Sequence, residues 1–328
     1  MASDWGADVG KDMVVLACHG GGPTVEVANQ AAVLRAWVKG LEAGSRIGVE
    51  ASGVHHRCLA QVATAAGHAV YVLNPRDVNH YAKGVGRRAK TDRVDARVIA
   101  RYVAHEHEHL RVYRVPDASQ QAIAELLEKR HAVVKAKGSL SQALGELPGY
   151  RKVRSDLEAL LRELDAKLAQ LTREQSGLYA LCQRLRSVPG IGPLLSAGLA
   201  NLLMLHEFHS SDALIAYLGY DPRADDSGRR HGRRRLSKRG PAEMRRLLYT
   251  AAMAAARTAA WKPFYERDRA RGLSATEAII VLARRIARTA YSIARHNTTF
   301  DPARLAGACA RPWKRRPNAF AISEAAAR

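Results

Sequence analysis

The chain has 328 residues, with 52 Lys and Arg against 31 Asp and Glu, and a formal net charge of +21 at pH 7. This length allows two or three domains, and the charge favours nucleic acid, or less readily an anionic membrane surface, as a partner. The sequence has no run of roughly 18 apolar residues that would span a membrane, no secretion signal and no cysteine spacing typical of disulfide frameworks or zinc clusters, so we expect a cytoplasmic location.

The first part of the chain alternates between short apolar runs and helical periods. We expect strands at residues 13–17, 24–27, 46–50 and 69–73. The expected helices are at about residues 30–41 and 55–66. Strands that alternate with helices predict a mixed α/β sheet covered by helices, in a domain over residues 1–116.

Residues 117–186 have a heptad pattern instead. Apolar side chains recur at alternating intervals of four and three, with a polar interruption at Gln175, at Leu157, Leu161, Leu164, Leu168, Leu171, Leu178, Cys182 and Leu185. A weaker seven-residue repeat precedes them at Leu126, Val133, Leu140 and Leu147. We predict a helical coiled-coil connector, which folds back as an antiparallel hairpin or pairs with another copy of the chain. The sequence does not choose between the two.

The last part of the chain is predicted to be mostly α-helical. This domain covers residues 187–310, with helices in an Ala-rich stretch at residues 250–260 and at about residues 275–295. An arginine-rich loop at residues 221–240 precedes both helices. Residues 311–328 are predicted to be a basic, disordered tail.

Four carboxylates occupy positions that suggest a metal site. Asp92 and Asp95 begin an expected helix, and a spacing of three brings their Cβ atoms to about 5–6 Å on one face. Asp8 precedes the first expected strand, and Glu50 closes the run at residues 46–50. Two-metal phosphoryl transfer needs acids from separate elements, and Mg²⁺ prefers oxygen ligands. A helix dipole also favours acids in a first turn, and Asp8 and Glu50 are equally compatible with turn and surface positions, so spacing alone leaves both interpretations open.

Residues 188–192 have the Pro-Gly-Ile-Gly pattern of a helix-hairpin-helix turn. In such a turn Gly190 and Gly192 would let backbone N–H groups approach a DNA phosphate, a contact without sequence preference. A plain packing corner between two helices fits the same residues.

The loop around Ser237 is strongly basic. Residues 223–246 include ten Lys or Arg and three acids, a pattern typical of a phosphate-binding arm that adds affinity and salt dependence. By composition alone Ser237 is one loop serine among several. The candidate nucleic-acid contacts, including a basic run before Asp92, are Arg87, Arg88, Lys90, Arg229, Arg230, Arg233, Arg234, Arg235, Lys238 and Arg239.

The order of the motifs resembles the DEDD transposases of the IS110 family and the related Piv-type DNA invertases. The matching segments of the first half are residues 6–11, 49–53, 74–75 and 90–96. The resemblance implies that Asp8, Glu50, Asp92 and Asp95 form a site for Mg²⁺ (or Mn²⁺). It also implies a sheet similar to those of RuvC and ribonuclease H.

The second half is similar to the C-terminal transposase region of the same family. The family's nucleophile is the serine of a Ser-Lys-x-Gly motif, which forms a 5′-phosphoserine link to DNA, and here that serine is Ser237. A hydroxyl needs a metal or a base to activate it, and nearby arginines could neutralise the phosphate. Ser237 would then have to meet the four acids, within one chain or from a partner subunit. The chain departs from the family at residues 271–278, where a Lys-rich stretch is common.

The resemblance implies a bacterial, nucleoid-associated transposase or recombinase that cuts and rejoins double-stranded donor and target DNA. It further implies a structured guide RNA, which the positive charge permits but does not itself indicate, and a homodimer or tetramer. Three alternatives remain: a metal-dependent junction-resolving nuclease that uses water, a Piv-type site-specific invertase, and a nucleic-acid-binding protein without catalysis.

Overall fold

The computed structural model describes residues 2–51, 53–86, 92–223, 226–227, 230–231 and 235–305. The chain divides into two compact units, Met1–Ala118 and Ser119–Arg328. The boundary predicted at residue 186 lies inside the second unit, and the finer division into a connector and a C-terminal domain stays a prediction. The predicted tail at residues 311–328 lies outside the described residues.

The first unit is built on a five-stranded mixed sheet. Its strands are β1 Asp4–Val9, β2 Met13–Cys18, β3 Val25–Ala28, β4 Arg46–Glu50 and β5 Ala69–Leu73. Their order in the sheet is β3-β2-β1-β4-β5. The central strand β1 pairs antiparallel with β2 and parallel with β4, and β4 pairs parallel with β5. The predicted mixed α/β sheet is therefore confirmed.

The sequence placed the first strand at residues 13–17, but an earlier strand, β1, precedes it. The run Gly6-Ala7 is only weakly apolar because a helix crosses the sheet at this point. A Cβ atom at Gly6 would lie 2.1 Å from the carbonyl oxygen of Ala96. Small residues in β1 thus reflect close packing against a helix. Asp8 lies in this strand and not in a turn, which is one of the positions that the sequence alone leaves open.

Helices cover both faces of this sheet. They are α1 Ala31–Lys39, α2 His56–Ala65, α3 Pro75–Gly84 and α4 Asp92–Glu106, followed by a 3₁₀ helix at His107–His109. Leu34 of α1 and Leu59 of α2 share a core with Ile47 of β4. Ile99 of α4 shares a second core with Leu73 of β5. The apolar runs of the strands are thus buried on two sides.

The helices expected from the sequence do not include α3, because Asn74-Pro75 directly after the apolar run at residues 69–73 signals the end of a strand. The same two residues start the helix. The side-chain oxygen of Asn74 accepts a hydrogen bond of 2.9 Å from the backbone N–H of Arg76, which caps the first turn. Pro75 takes the first helical position, where its missing N–H costs nothing.

The second unit is mostly helical. Its helices are α5 Ala118–Leu144, α6 Tyr150–Glu174, α7 Ser176–Arg186, α8 Pro193–Leu205, α9 Ser211–Tyr217, α10 Ala242–Ala255, α11 Lys262–Ala270 and α12 Ala275–His296. Four two-residue strands lie between α9 and α10: β6 Pro222–Arg223, β7 Asp226–Ser227, β8 Arg230–His231 and β9 Arg235–Leu236. The predicted helix at residues 275–295 is confirmed as α12.

Helices α5 and α6 fold back on each other. Arg130 Nε lies 2.5 Å from Asp165 Oδ1, and Lys137 Nζ lies 3.2 Å from Glu158 Oε1. Since the partner number falls as the α5 number rises, the two helices run antiparallel. Gln175, the polar interruption in the heptads, is where α6 ends, in an extended conformation with φ −103° and ψ 95°.

Helices α7 to α12 share one apolar core in the second unit. Trp261, Leu185, Leu199 and Leu214 are fully buried there, and α12 contributes an apolar stripe that includes Ile286. Across the described part of the chain, none of the helices combines the length and apolarity needed to cross a bilayer.

Candidate active site

The sheet of the first unit brings Asp8 and Glu50 to the same edge. Asp8 lies near the end of β1, and Glu50 is the last residue of β4. The two strands are parallel neighbours, with Ala7 opposite Val49, so the next residue of each strand is an acid. Their carboxylates therefore leave neighbouring strands at the same level.

Helix α4 supplies the other two acids. Asp92, which is exposed, and Asp95, which is half-buried, lie in its first turn. The helix packs directly on the two strands, because each strand has a glycine beneath it: a Cβ atom would lie 2.2 Å from Ala100 N at Gly6 and 2.5 Å from Val103 Cγ2 at Gly48. This close approach sets the first turn of α4 near the end of β1.

The negative charges of the other three acids all act on Asp8. The pKa of Asp8 is raised from 3.8 to about 6, mainly by burial and then, in order of effect, by the negative charges of Asp92, Asp95 and Glu50. A hydrogen bond from the backbone of Val9 acts in the opposite direction. Because like charges disfavour ionisation only at short range, the four carboxylates form one electrostatic group.

This group has the oxygen donors that a hard divalent cation prefers. A cation there would relieve the mutual repulsion that raises the pKa of Asp8. The described residues nevertheless include no three His, Cys, Asp or Glu side chains close enough to hold a metal ion as they stand. Coordination would therefore require these side chains to turn towards a common point. The predicted basic neighbours Arg87, Arg88 and Lys90 lie outside the described residues.

Ser237 lies in the second unit, directly after β9. Strand β9 pairs antiparallel with β6, with Pro222 opposite Leu236. The next residue pair in this ladder is Asp221 and Ser237. The backbone N–H of Ser237 donates to the carbonyl oxygen of Asp221 at 3.0 Å, so the ladder continues by one residue on each strand.

The side chains of this pair also form a hydrogen bond. The Ser237 hydroxyl donates to Oδ1 of Asp221, and Ser237 is only 6% exposed. No sequence motif singles out Asp221, because it is 16 residues away from Ser237 and lies among other loop acids. Only the antiparallel pairing of β6 with β9 identifies Asp221 as the partner of Ser237, and no local sequence motif predicts that pairing.

The backbone around Ser237 is tightly constrained. Lys238 adopts a left-handed conformation with φ 54°, and its N–H donates to the carbonyl oxygen of Gly219 at 3.1 Å. Gly219 itself has φ +70°, and a Cβ atom at Gly240 would lie 1.9 Å from the carbonyl oxygen of Tyr217. The Ser-Lys-x-Gly segment is therefore packed against the end of α9 rather than extended into solvent.

The predicted basic contacts of this loop are described only in part. The side chains of Arg235, Lys238 and Arg239 are exposed. Arg230 belongs to β8, but its side chain is not described, and Arg229, Arg233 and Arg234 lie outside the described residues. The three exposed cations flank Ser237 directly in the chain.

The two glycines of the predicted helix-hairpin-helix turn have different surroundings. Gly190 has φ +100°, and a Cβ atom there would lie 2.6 Å from Ala251 O and 2.8 Å from Ala255 Cβ of α10. Gly192 precedes α8 and has no neighbouring atom within 4 Å of its Cβ position. Packing against α10 explains Gly190, whereas Gly192 leaves open space at the N-terminus of α8.

Two sequence models of transposases match the chain. Residues 5–147 match a model of DEDD transposases of the IS110 type, described as a transposase. Residues 182–266 match a model described as the transposase IS116/IS110/IS902 family. The first match includes all four acids, and the second includes both Asp221 and Ser237.

The chain is also similar to individual transposases and to a gene-inverting protein. The chain is 28% identical to a pilin gene-inverting protein of Moraxella lacunata over 77% of its own length and 81% of the relative. It is 28% identical to a probable family 20 transposase of Pseudomonas aeruginosa, over 78% and 86% of the two chains. It is 27% identical to the transposase for insertion sequence element IS1111A of Coxiella burnetii, over 56% and 58%.

Proposed function

Because the chain belongs to the IS116/IS110/IS902 family of transposases, and is thus an enzyme that cleaves and rejoins DNA, we propose that it does so by metal-assisted attack of Ser237 on a phosphodiester. The observation that carries this proposal is the convergence of four carboxylates on Asp8, at the edge of a sheet. The strand order β3-β2-β1-β4-β5 supports a fold similar to RuvC and ribonuclease H for this unit.

Asp8, Glu50, Asp92 and Asp95 would hold Mg²⁺ or Mn²⁺ through their carboxylate oxygens. When bound, the metal supplies Lewis-acid stabilisation of the negative charge on the phosphate. Helix α4 presents Asp92 and Asp95 as a pair, and the ends of β1 and β4 present the other two acids from below.

Ser237 provides the nucleophilic oxygen. Its Oγ–P bond forms as the bond from phosphorus to the 3′ oxygen breaks, which leaves a 5′-phosphoserine and a free 3′ end. Attack of a 3′-hydroxyl from another strand on that phosphoserine then rejoins the DNA and releases the serine. Arg235, Lys238 and Arg239 would neutralise the phosphate and bind the flanking backbone.

This mechanism requires Ser237 to meet the four acids, within one chain or from the partner subunit of a homodimer or tetramer. The net charge of +21 supports binding of donor and target double-stranded DNA, and it permits the structured guide RNA that the family resemblance implies. Sequencing of the nucleic acid that co-purifies with the protein tests whether the protein binds a guide RNA. A discrete RNA that matches the flank of the element supports the guided mechanism, and random or absent RNA contradicts it.

A site-specific DNA invertase is the second candidate, and the similarity to a pilin gene-inverting protein favours it. An invertase and a transposase share the same chemistry and differ in the DNA that they rejoin. Sequencing of the rejoined products separates them, because inversion reverses one segment between two fixed sites and transposition inserts the element at new positions.

A labelled DNA substrate tests the nucleophile against the third candidate, a nuclease that uses water. We expect the parent protein to form a covalent protein–DNA adduct, and Ser237→Ala to form neither adduct nor cleaved product. Ser227→Ala in the same loop is the matched control and should retain both. Cleavage by Ser237→Ala at the parental rate would show that water is the nucleophile.

A further inference from the structure

The partner of the Ser237 hydroxyl is the feature of this loop that the proposed function leaves unused. We propose that Asp221 orients the Ser237 hydroxyl and accepts its proton when the oxygen attacks phosphorus. This inference rests on the nucleophile proposed above, and it assigns a catalytic role to a residue outside the four acids and the Ser-Lys-x-Gly motif.

The ladder between β6 and β9 is the first argument. It sets Pro222 opposite Leu236 and Arg223 opposite Arg235, which makes Asp221 and Ser237 the next pair. The backbone hydrogen bond of 3.0 Å and the hydroxyl–carboxylate hydrogen bond both join this pair. A serine hydroxyl on a loop can rotate among three staggered positions, and here the carboxylate selects one of them.

The strained backbone beside Ser237 is the second argument. Lys238 has φ 54°, and a non-glycine residue in this left-handed region is under backbone strain. Gly219 and Gly240 allow this turn because a side chain at either position would collide with backbone atoms. Binding of a phosphate by flexible arginines needs no such constraint, whereas a nucleophile must be held in a fixed direction.

Cationic side chains lie near the Asp221–Ser237 pair, in the chain or through space. Arg284 of α12 interacts electrostatically with Asp221: burial lowers the pKa of Arg284, and the negative charges of Asp212 and Asp221 oppose that effect. Lys238 and Arg239 follow Ser237 in the same loop and are exposed. The Asp221–Ser237 pair therefore lies among cations, which would attract the phosphate that the hydroxyl attacks.

The chemical step balances within the pair. The Ser237 proton moves to an Oδ of Asp221 as the Oγ–P bond forms and the bond to the 3′ oxygen breaks. The 3′ oxygen takes a proton from water. In the rejoining step the attacking 3′-hydroxyl loses its proton to water, and the departing serine oxygen takes its proton back from Asp221.

The test is the rate of adduct formation in Asp221→Asn as a function of pH, with saturating DNA and Mg²⁺. The amide keeps the size of the side chain and can still accept a hydrogen bond, but it cannot take the proton. We expect a loss on the order of 10²-fold at pH 7. Between pH 7 and 9 the variant should recover about tenfold per pH unit, because hydroxide replaces the missing base. The parent should be nearly flat over this range, because it keeps the carboxylate that accepts the proton.

Two further variants separate catalysis from loop structure. Asp221→Glu keeps a carboxylate, so it should lose less activity than Asp221→Asn and stay flat between pH 7 and 9. Asp212→Asn removes an exposed acid of the same unit, which pairs with Arg288, and should match the parent. Thermal unfolding of each variant checks that it is folded. If Asp221→Asn does not fold, the pH dependence of Asp221→Glu is the remaining test.

The possible failures are distinguishable. If the parent forms no adduct, the serine mechanism itself is wrong. If the parent forms the adduct and Asp221→Asn matches it, or is slower by the same factor at every pH, Asp221 has no role as a base. An Asp221→Glu variant whose rate climbs with pH as steeply as hydroxide would overturn the assignment in the same way.

Discussion

The two halves of the proposed site are built in opposite ways. In the first unit, regular elements place the acids: Asp8 and Glu50 at the ends of parallel strands, Asp92 and Asp95 in the first turn of a helix. In the second unit, a ladder of two-residue strands and a left-handed residue hold Ser237. Residues on regular elements share a rigid frame, whereas the serine depends on a few specific loop contacts.

The largest expected effect comes from replacing a closely packed glycine in each unit. Gly6→Ala in the first unit and Gly240→Ala in the second would set a Cβ atom 2.1 Å and 1.9 Å from backbone oxygens. We expect each to destabilise the protein by about 3 kcal/mol or more, measured by thermal unfolding.

Two glycines with open surroundings are the matched controls for these substitutions. Gly84 lies in the last turn of α3 and Gly138 within α5, and neither Cβ position has a neighbouring atom within 4 Å. Gly138→Ala should stabilise the protein by about 0.5–1 kcal/mol, and Gly84→Ala should be close to neutral. If Gly6→Ala is as stable as the controls, α4 does not pack on β1 as described.

The second prediction sharpens the electrostatic side of the comparison. The pKa of Asp8 is raised from 3.8 to about 6 in the folded protein, so the parent loses stability as pH rises from about 4 to above 6. Asp8→Asn should therefore be more stable than the metal-free parent at pH 8. We expect about 1–2 kcal/mol, which is less than the full shift because solvent screens a half-exposed group. At pH 4 the difference should disappear.

Added Mg²⁺ provides a second readout for the same variant. It should raise the unfolding temperature of the parent at pH 8, because binding to the folded state stabilises it, and it should have a smaller effect on Asp8→Asn. Asp12→Asn, in the exposed turn after β1, should behave like the parent in both respects. A parent that gains stability with rising pH would contradict the convergence of the four acids.

The smallest expected effect concerns the exposed cations beside Ser237. Arg235→Ala should reduce the slope of log affinity against log salt for DNA by about 1, as expected for one lost phosphate contact. Lys39→Ala removes an equal charge at the exposed end of α1 and should leave the slope unchanged. Equal slopes for both variants would mean that the Ser237 loop does not bind the DNA backbone.

The comparison also explains what could be predicted from the sequence. Local signals mark the positions of three acids of the first unit, since Glu50 closes an apolar run and Asp92 and Asp95 start a helix. Their role as a metal site depends on the family resemblance, because spacing alone is equally compatible with ordinary structural positions. Strand β1 is harder to predict because Gly6 must be small to let α4 pack on it. The helix residue that it meets lies some ninety residues later in the chain. Helix α3 was missed because Asn74-Pro75 ends a strand and starts a helix at once.

The second unit shows a different limit. Ser237 could be proposed only through the order of its motifs, and its partner Asp221 could not be proposed at all. Their contact depends on pairing between two strands of two residues, which are too short for alternation of polar and apolar residues to signal them. The pattern around Gly190 is equally compatible with a DNA contact and with a packing corner, and only the distance from α10 reveals the packing role.

Mapping the covalent link tests the central claim most directly. The parent protein is incubated with labelled DNA and Mg²⁺, the adduct is denatured and digested with protease and nuclease, and the modified peptide is sequenced by mass spectrometry. We predict a nucleotide attached through phosphate to Ser237, and no such peptide from Ser237→Ala or Asp8→Asn. A nucleotide on another residue, or cleaved DNA with free 5′-phosphate ends and no modified peptide, would contradict the account.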